Sequence, residues 1–167
     1  MKKGFSLIEI IITVSVLVIF SGLSLTLTQN FSQERKLKSE ALKLVNVLEI
    51  AKKKAGSGDL SGKECLDSFN GYRVIVNNDG YSLWLRCGGN LVRPAVFSYL
   101  FPPLGNTSAR NISVISGEGN YDFRELNLTS TSNPRTIRIK NSVISKCLEI
   151  TISPAGTINL SNNFTDC

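Results

Sequence analysis

Histidine is absent from this chain of 167 residues, and with it the commonest general base and transition-metal ligand. A Ser-His-Asp triad, a Cys-His dyad and a histidine-containing zinc site are excluded. The four cysteines are Cys65, Cys87, Cys147 and Cys167. None stands in a Cys-x-x-Cys pair, which argues against a zinc site of thiolates alone. Acidic residues form no cluster: Asp59, Asp67, Asp79, Asp122 and Asp166 are scattered along the chain. The residues therefore imply no metal, no cofactor and no catalytic constellation. Proline is missing before Pro94, so the first half of the chain carries no helix breaker. Charged residues are few, at 19%, but hydrophobic residues make up 42%, which excludes a disordered chain. The length suits one globular domain with an appendage.

The apolar residues are unevenly spread. From Ile10 to Thr28 no residue is charged. As a helix this segment rises about 28 Å, close to the ~30 Å of a hydrocarbon core. In front of it Met1-Lys2-Lys3-Gly4 forms a short basic tip, and positive charge at that end holds it in the cytoplasm. An ordinary secretory signal, cut near Ser21-Gly22-Leu23-Ser24, is one reading of such a run. The run is longer than the usual signal core of roughly 7–15 residues. Glu9, set among Phe5, Leu7, Ile8 and Ile10, also counts against it. A carboxylate entering a membrane interior costs about 3 kcal/mol, and a disposable signal has no use for one.

The hexapeptide Gly4-Phe5-Ser6-Leu7-Ile8-Glu9 closely resembles the processing site of type IV pilin-like proteins, which include pilins and the pseudopilins of type II secretion and DNA uptake. The resemblance implies that a prepilin peptidase cuts between Gly4 and Phe5 and N-methylates Phe5. It also implies that the apolar segment stays attached as an assembly helix, and that Glu9 acts in assembly. Glycine before the cut lets a protease approach the backbone closely. The new amine on Phe5 would need a counter-charge inside a bundle of helices. Glu9, four residues on, can serve its own chain or a neighbour's; a pair made only between correctly staggered subunits would set axial register. The implied partners are other pilin or pseudopilin subunits, met through the N-terminal helix, with the peptidase and the inner membrane. The implied location is the bacterial inner membrane, crossed once, with the N-terminus cytoplasmic and the head outside, and then the filament. Many pilins carry proline at the position of Thr26. This chain does not, so a proline kink is not expected; Gly22 is left as the one point of looser helix.

Beyond Gln29, Leu37, Ala41, Leu44, Val45, Leu48 and Ala51 recur at three- and four-residue steps on one helical face. Glu34, Arg35, Lys36, Lys38, Glu40, Lys43 and Glu49 fall largely off it. Lys52, Lys53 and Lys54 followed by Gly56 predict the helix end. One helix from Phe5 to about Ala55, some 75 Å long, is the expectation; a coiled coil is the rival, with too few heptads. The segments are then 1–4, leader; 5–28, transmembrane and assembly helix; 29–56, amphipathic helix; and 57–167, β-rich extracytoplasmic head.

In the head, Tyr72, Val74 and Val76 alternate with polar neighbours, Asn77-Asn78-Asp79-Gly80 signals a hairpin, and Tyr81, Leu83, Leu85 and Cys87 share a face. Ile112-Val114-Ser116, Ile137-Ile139 and Leu148-Ile150-Ile152 read as further strands. Ser153-Pro154-Ala155-Gly156 turns the chain into Thr157–Leu160, and 101–109 reads as loop. Four cysteines allow three connectivities. The two local ones, Cys65–Cys87 and Cys147–Cys167, would each brace a hairpin region, against the rival of four free thiols. The fold class is α+β: a long N-terminal helix on a mostly antiparallel β head. This layout resembles the H-type minor pseudopilins and the related FimT-like minor pilins, with the match strongest at the N-terminus.

The first functional reading is a structural minor pilin or pseudopilin, not an enzyme, in a type II secretion pseudopilus or a type IV pilus-like filament. The second is a DNA-binding minor pilin of an uptake pilus. It draws on a net charge of +6, less two once Lys2 and Lys3 leave, and on a basic set in which Arg135, Arg138 and Lys140 are the candidate nucleic-acid residues. Cations on exposed strands also serve solubility and edge protection, and the turn at 154–157 has no arginine.

Overall fold

The computed structural model describes residues 6–60, 65, 68–88, 90–92, 95–102, 111–124 and 133–167, apart from the side chains of 21–28. One helix, α1, runs Leu7–Ser57. Ten strands follow among the described residues: β1 Phe69–Asn77, β2 Gly80–Cys87, β3 Asn90–Leu91, β4 Phe97–Leu100, β5 Ile112–Ser116, β6 Gly119–Phe123, β7 Arg135–Asn141, β8 Lys146–Ile152, β9 Ile158–Leu160 and β10 Thr165–Asp166. The architecture is α+β, and every strand pair is antiparallel.

The strands form two sheets, each centred on a hairpin. The first has the order β3-β2-β1-β6, with β4 also paired to β2. The second has the order β10-β8-β7-β5, with β9 also paired to β8. In the first hairpin Asn77 pairs with Gly80 across the two-residue loop Asn78-Asp79, as the sequence predicts. Gly71 sits at a bulge in β1 with φ +92°, where a Cβ would lie 2.0 Å from the Phe123 carbonyl oxygen, so no other residue fits that approach. Gly117 joins β5 of the second sheet to β6 of the first. Its φ is +82°, and a Cβ would sit 2.3 Å from the Thr136 carbonyl oxygen. The passage between sheets needs glycine for its left-handed backbone and for its closeness to β7.

The second half of α1 packs against both sheets. Leu37, Ala41, Leu44, Leu48, Ala51 and Ala55 are wholly buried in one core with Tyr72, Val74, Leu85 and Phe123 from the first sheet and Ile137, Ile139, Leu148 and Ile150 from the second. Each buried leucine contributes roughly 2 kcal/mol. The stripe differs from the predicted one in detail. Val47 is buried and Val45 half-buried, because the helix faces two sheets rather than one. The helix also ends later than predicted. Gly56 lies within it, and Gly58 is the left-handed stop at φ +65°, with its N–H on the Ala55 carbonyl and the Asp59 N–H on that of Lys54. Glu40, predicted to lie off the apolar face, is buried instead, because Tyr99 gives its carboxylate a partner. Of the predicted loop 101–109, Phe101 and Pro102 are irregular, with Phe101 wholly buried; the remainder lies outside the described residues.

Candidate functional site

The first turns of α1 form a surface unlike any other among the described residues. Eleven large apolar residues from Leu7 to Phe20 are exposed, from 45% at Val16 to 75% at Leu7. They point in every direction around the helix, with no stripe turned to the head. The polar groups among them are closed inside the helix: the Thr13 hydroxyl donates to the Ile10 carbonyl at 2.9 Å and the Ser15 hydroxyl to that of Ile11 at 2.8 Å. Such i−3 and i−4 bonds satisfy hydroxyls without water. Ser6 is the N-cap through its carbonyl, which accepts from Glu9 N–H at 3.1 Å and Ile10 N–H at 3.3 Å, and its side chain makes no cap bond. Glu9 is the acidic residue of the first turn, where a negative charge is favoured by the free N–H groups. Its side chain is exposed.

Gly4 and Phe5, the predicted cleavage and methylation site, lie outside the described residues. So does the side chain of Thr26. Among the described residues no helix is long and apolar enough to cross a membrane; part of the uncharged run, 21–28, is not among those side chains.

The cysteines pair locally. Cys65 is bonded to Cys87 with Cα atoms 5.6 Å apart, and Cys147 to Cys167 at 5.5 Å. The first bridge ties the segment before β1 to the end of β2. The second ties β8 to the residue after β10, so each sheet has one bridge.

The basic residues considered for nucleic acid do not form one patch. Arg138 and Lys140 project from the outer face of β7, but Arg135 has the parity of buried Ile137 and Ile139. Its guanidinium stacks over Tyr121 at 4.1 Å and donates to the Asn120 carbonyl at 2.7 Å, bridging the second sheet to the first. Arg138 is paired to Glu149 on β8, with Nε 2.9 Å from Oε1. Lys140 is half-buried opposite Cys147, and among the described residues it has no such tie.

Two polar clusters escaped the sequence. In the first, Glu40 accepts from Lys43 Nζ at 2.8 Å and from the Tyr99 hydroxyl at 2.8 Å, while Tyr99 accepts from Lys43 at 3.1 Å. Burial pushes the Tyr99 hydroxyl up, so it stays a neutral donor. The bonds to Glu40 and Tyr99 hold Lys43 above the ordinary lysine value. The i,i+3 spacing of Glu40 and Lys43 was visible; Tyr99, fifty-six residues on, gave no signal. In the second cluster Arg73 forks onto Asp122, at 2.6 and 2.8 Å, and Arg86 Nη1 lies 3.2 Å from the same carboxylate. Burial pushes the Asp122 carboxyl up, but the Arg73 bond and the charges of Arg86, Arg73 and Arg124 outweigh it and hold the group below the ordinary aspartate value. Among the described residues no group of three His, Cys, Asp or Glu is placed to hold a metal ion.

No protein-family model, curated protein or solved structure matches the chain.

Proposed function

We propose that this chain is a structural subunit of a type IV pilin-like filament, a minor pilin or pseudopilin processed between Gly4 and Phe5 and inserted in the bacterial inner membrane through the first half of α1. The observation that carries the reading is the exposed apolar collar of α1, continuous with a helix whose second half is locked into the head. Soluble monomers rarely leave so large a contiguous apolar surface uncovered. Here the helix satisfies its own backbone and its described hydroxyls, which is what a hydrocarbon or helix-bundle environment demands. The collar is the transmembrane span before assembly and the filament core after it.

Glu9 is the register device in this reading. The mature Phe5 amine enters a bundle of apolar helices and takes Glu9 of a neighbouring subunit as counter-ion. Breaking one side of such a buried pair costs about 3–5 kcal/mol, whereas a carboxylate acting only on its own helix end contributes ~0.3–1 kcal/mol. The head, closed by two sheet-specific disulfides, suits an extracytoplasmic setting.

N-terminal mass spectrometry of membrane-extracted protein tests the processing, with N-methylated Phe5 as the expected first residue. A start near Leu25 would identify an ordinary signal peptide and remove the assembly role. Intersubunit crosslinking tests the pairing: Glu9→Ala is expected to insert in the membrane yet lose crosslinks, and undiminished crosslinking would refute the intersubunit role.

A further inference from the structure

The packed half of α1 begins at a clasp. Asn141, the last residue of β7, is wholly buried. Its side-chain amide donates to Gln33 on α1, at 3.3 Å to the carbonyl and 3.2 Å to Oε1, and its Oδ1 accepts the Val143 N–H at 2.9 Å. One side chain thus ties the turn between β7 and β8 to the helix. Gln33 stands four residues before Leu37, the first buried residue of α1 among the described ones. Ile137 and Ile139, earlier in β7, lie in the core with Leu37 and its successors. The hairpin therefore runs toward the N-terminal end of the packed half, and its turn, 142–145, is the base of the head.

This base carries exposed groups on two sides of the helix. Val143, in the turn, is 52% exposed. Phe31 is 54% exposed, with the Arg35 guanidinium 4.2 Å from its ring centre. Two residues subtend about 200° of an α-helix, so Phe31 and Arg35 lie across the helix from Gln33 and the turn it holds. Lys36 and Lys38 are also exposed. Among the described residues Arg35, Lys36 and Lys38 make no ion pair. Glu34, the one acid between residues 29 and 38, acts on the start of β8 instead: the Asp166 bond, with a smaller contribution from the charge of Glu34, holds Lys146 above the ordinary lysine value. The base is left with an excess of positive charge.

Its place in the chain is beside the uncharged run. Phe31 stands three residues past Thr28 and Gln33 five, rises of about 5 and 8 Å along the helix. A headgroup layer is roughly 5–8 Å thick on each side of the hydrocarbon. With Thr28 at the hydrocarbon boundary, Phe31 and the 142–145 turn fall within that layer. Arg35 reaches back into it along its apolar stem, as its stacking on Phe31 already shows.

We propose that the base of the head is a lipid-contacting surface, an inference that rests on the reading of 5–28 as a membrane span. Phe31 and Val143 enter the headgroup layer on opposite sides of the helix, and Arg35, Lys36 and Lys38 meet lipid phosphates. An aromatic ring and basic side chains are both favoured at that level. Contact on one side alone would leave the head free to rock. Contact on two sides fixes its tilt and its height above the bilayer before a neighbouring subunit is met. Asn141 is the positioning residue, because its clasp holds the turn at the level of Gln33.

The test is tryptophan quenching in the full chain, reconstituted into vesicles of phosphatidylethanolamine and phosphatidylglycerol that carry a nitroxide either on the headgroup or midway along the acyl chain. Trp84, the one natural tryptophan, is kept, and quenching is read as the difference from the unsubstituted chain. Val143→Trp is expected to be quenched about twofold by the headgroup nitroxide. Thr136→Trp, at an exposed position about 17 Å along β7 from Asn141, should be unaffected. Phe20→Trp, within the uncharged run, should be quenched by the acyl-chain nitroxide. Arg35→Glu, Lys36→Glu and Lys38→Glu combined should cut the quenching at 143 about twofold and leave that at 20 unchanged. These three positions are exposed, so the melting curve should stay in place. Quenching at 20 without quenching at 143 would overturn this proposal and leave the membrane span standing. No quenching at 20 would remove both. Equal quenching at 143 and 136, or quenching at 143 indifferent to the charge reversal, would also overturn it.

Discussion

The two halves of α1 share one backbone conformation and differ in almost everything else. Between Leu7 and Phe20 the described apolar side chains are exposed on all sides. Between Leu37 and Ala55 the stripe of Leu37, Ala41, Leu44, Leu48, Ala51 and Ala55 is wholly buried by the head, and Leu42 and Ile50 on the other side are exposed. The charged residues follow the same division, with Glu9 alone in the first stretch and Lys and Glu interleaved through the second. The difference teaches that helix continuity and helix anchoring are separate. The helix continues because no proline interrupts it and its backbone bonds close locally. It is anchored only where a 3.6-residue periodicity gives a core something to grip. The first half is exposed, while head stability rests on the other half.

An aspartate placed in each half tests that division most severely. Leu48→Asp buries an unpaired charge in the core and is expected to unfold the head, a loss above about 4 kcal/mol, seen by circular dichroism. Ile11→Asp should leave the head's melting curve in place. Equal losses from the two would break the comparison. Removing the Cys147–Cys167 bridge by a double substitution to serine should lower head stability by ~3 kcal/mol, measured by denaturant titration, again with no change in the helical signal of the first half.

Asp122→Asn should cost the head ~2 kcal/mol, since it leaves Arg73 and buried Arg86 without their carboxylate. The pH dependence has a definite sign. The folded Asp122 value is lowered, so its stabilisation is complete above the unfolded value of about 3.9. It is lost as pH falls from there through the folded value. The variant should flatten stability in that acidic window and nowhere else. At the small end, Glu9→Ala should leave head stability unchanged within ~0.5 kcal/mol, since Glu9 lies about eight turns from the first core residue, Leu37. A larger shift would mean that the first half of α1 is anchored after all.

Much of the head was legible in the chain because its signals are short-range. Asn77-Asn78-Asp79-Gly80 contains its own turn chemistry, and Tyr72–Val76 and Tyr81–Cys87 show period-two burial. The second hairpin, β7 and β8, follows the same rule. The edge strands were not legible. β3 and β10 are two residues long, too short for any alternation, and β4 hides behind the irregular stretch before Phe97. These strands exist because β2 and β8 present unsatisfied ladders to them. β6 carries only Tyr121 and Phe123 as alternating apolar residues, too few for a strand signal.

For the candidate sites the division is similar. The uncharged run, the position of Glu9 and the Gly4-Phe5 motif are properties of the chain alone, and so is the helical stripe from Leu37 to Ala51. Periodicity and turn chemistry act within a few residues, so the sequence could determine a long helix, two hairpins and a change of character near Gly56. Only the tertiary structure decided that Glu40 is buried against Tyr99, that Arg135 crosses to Tyr121 instead of joining Arg138 and Lys140, and that an apolar groove lies between α1 and β4. Each of these depends on which side chains two distant segments bring face to face. Burial of a charge, the pairing of an edge and the shape of a groove are set by that meeting.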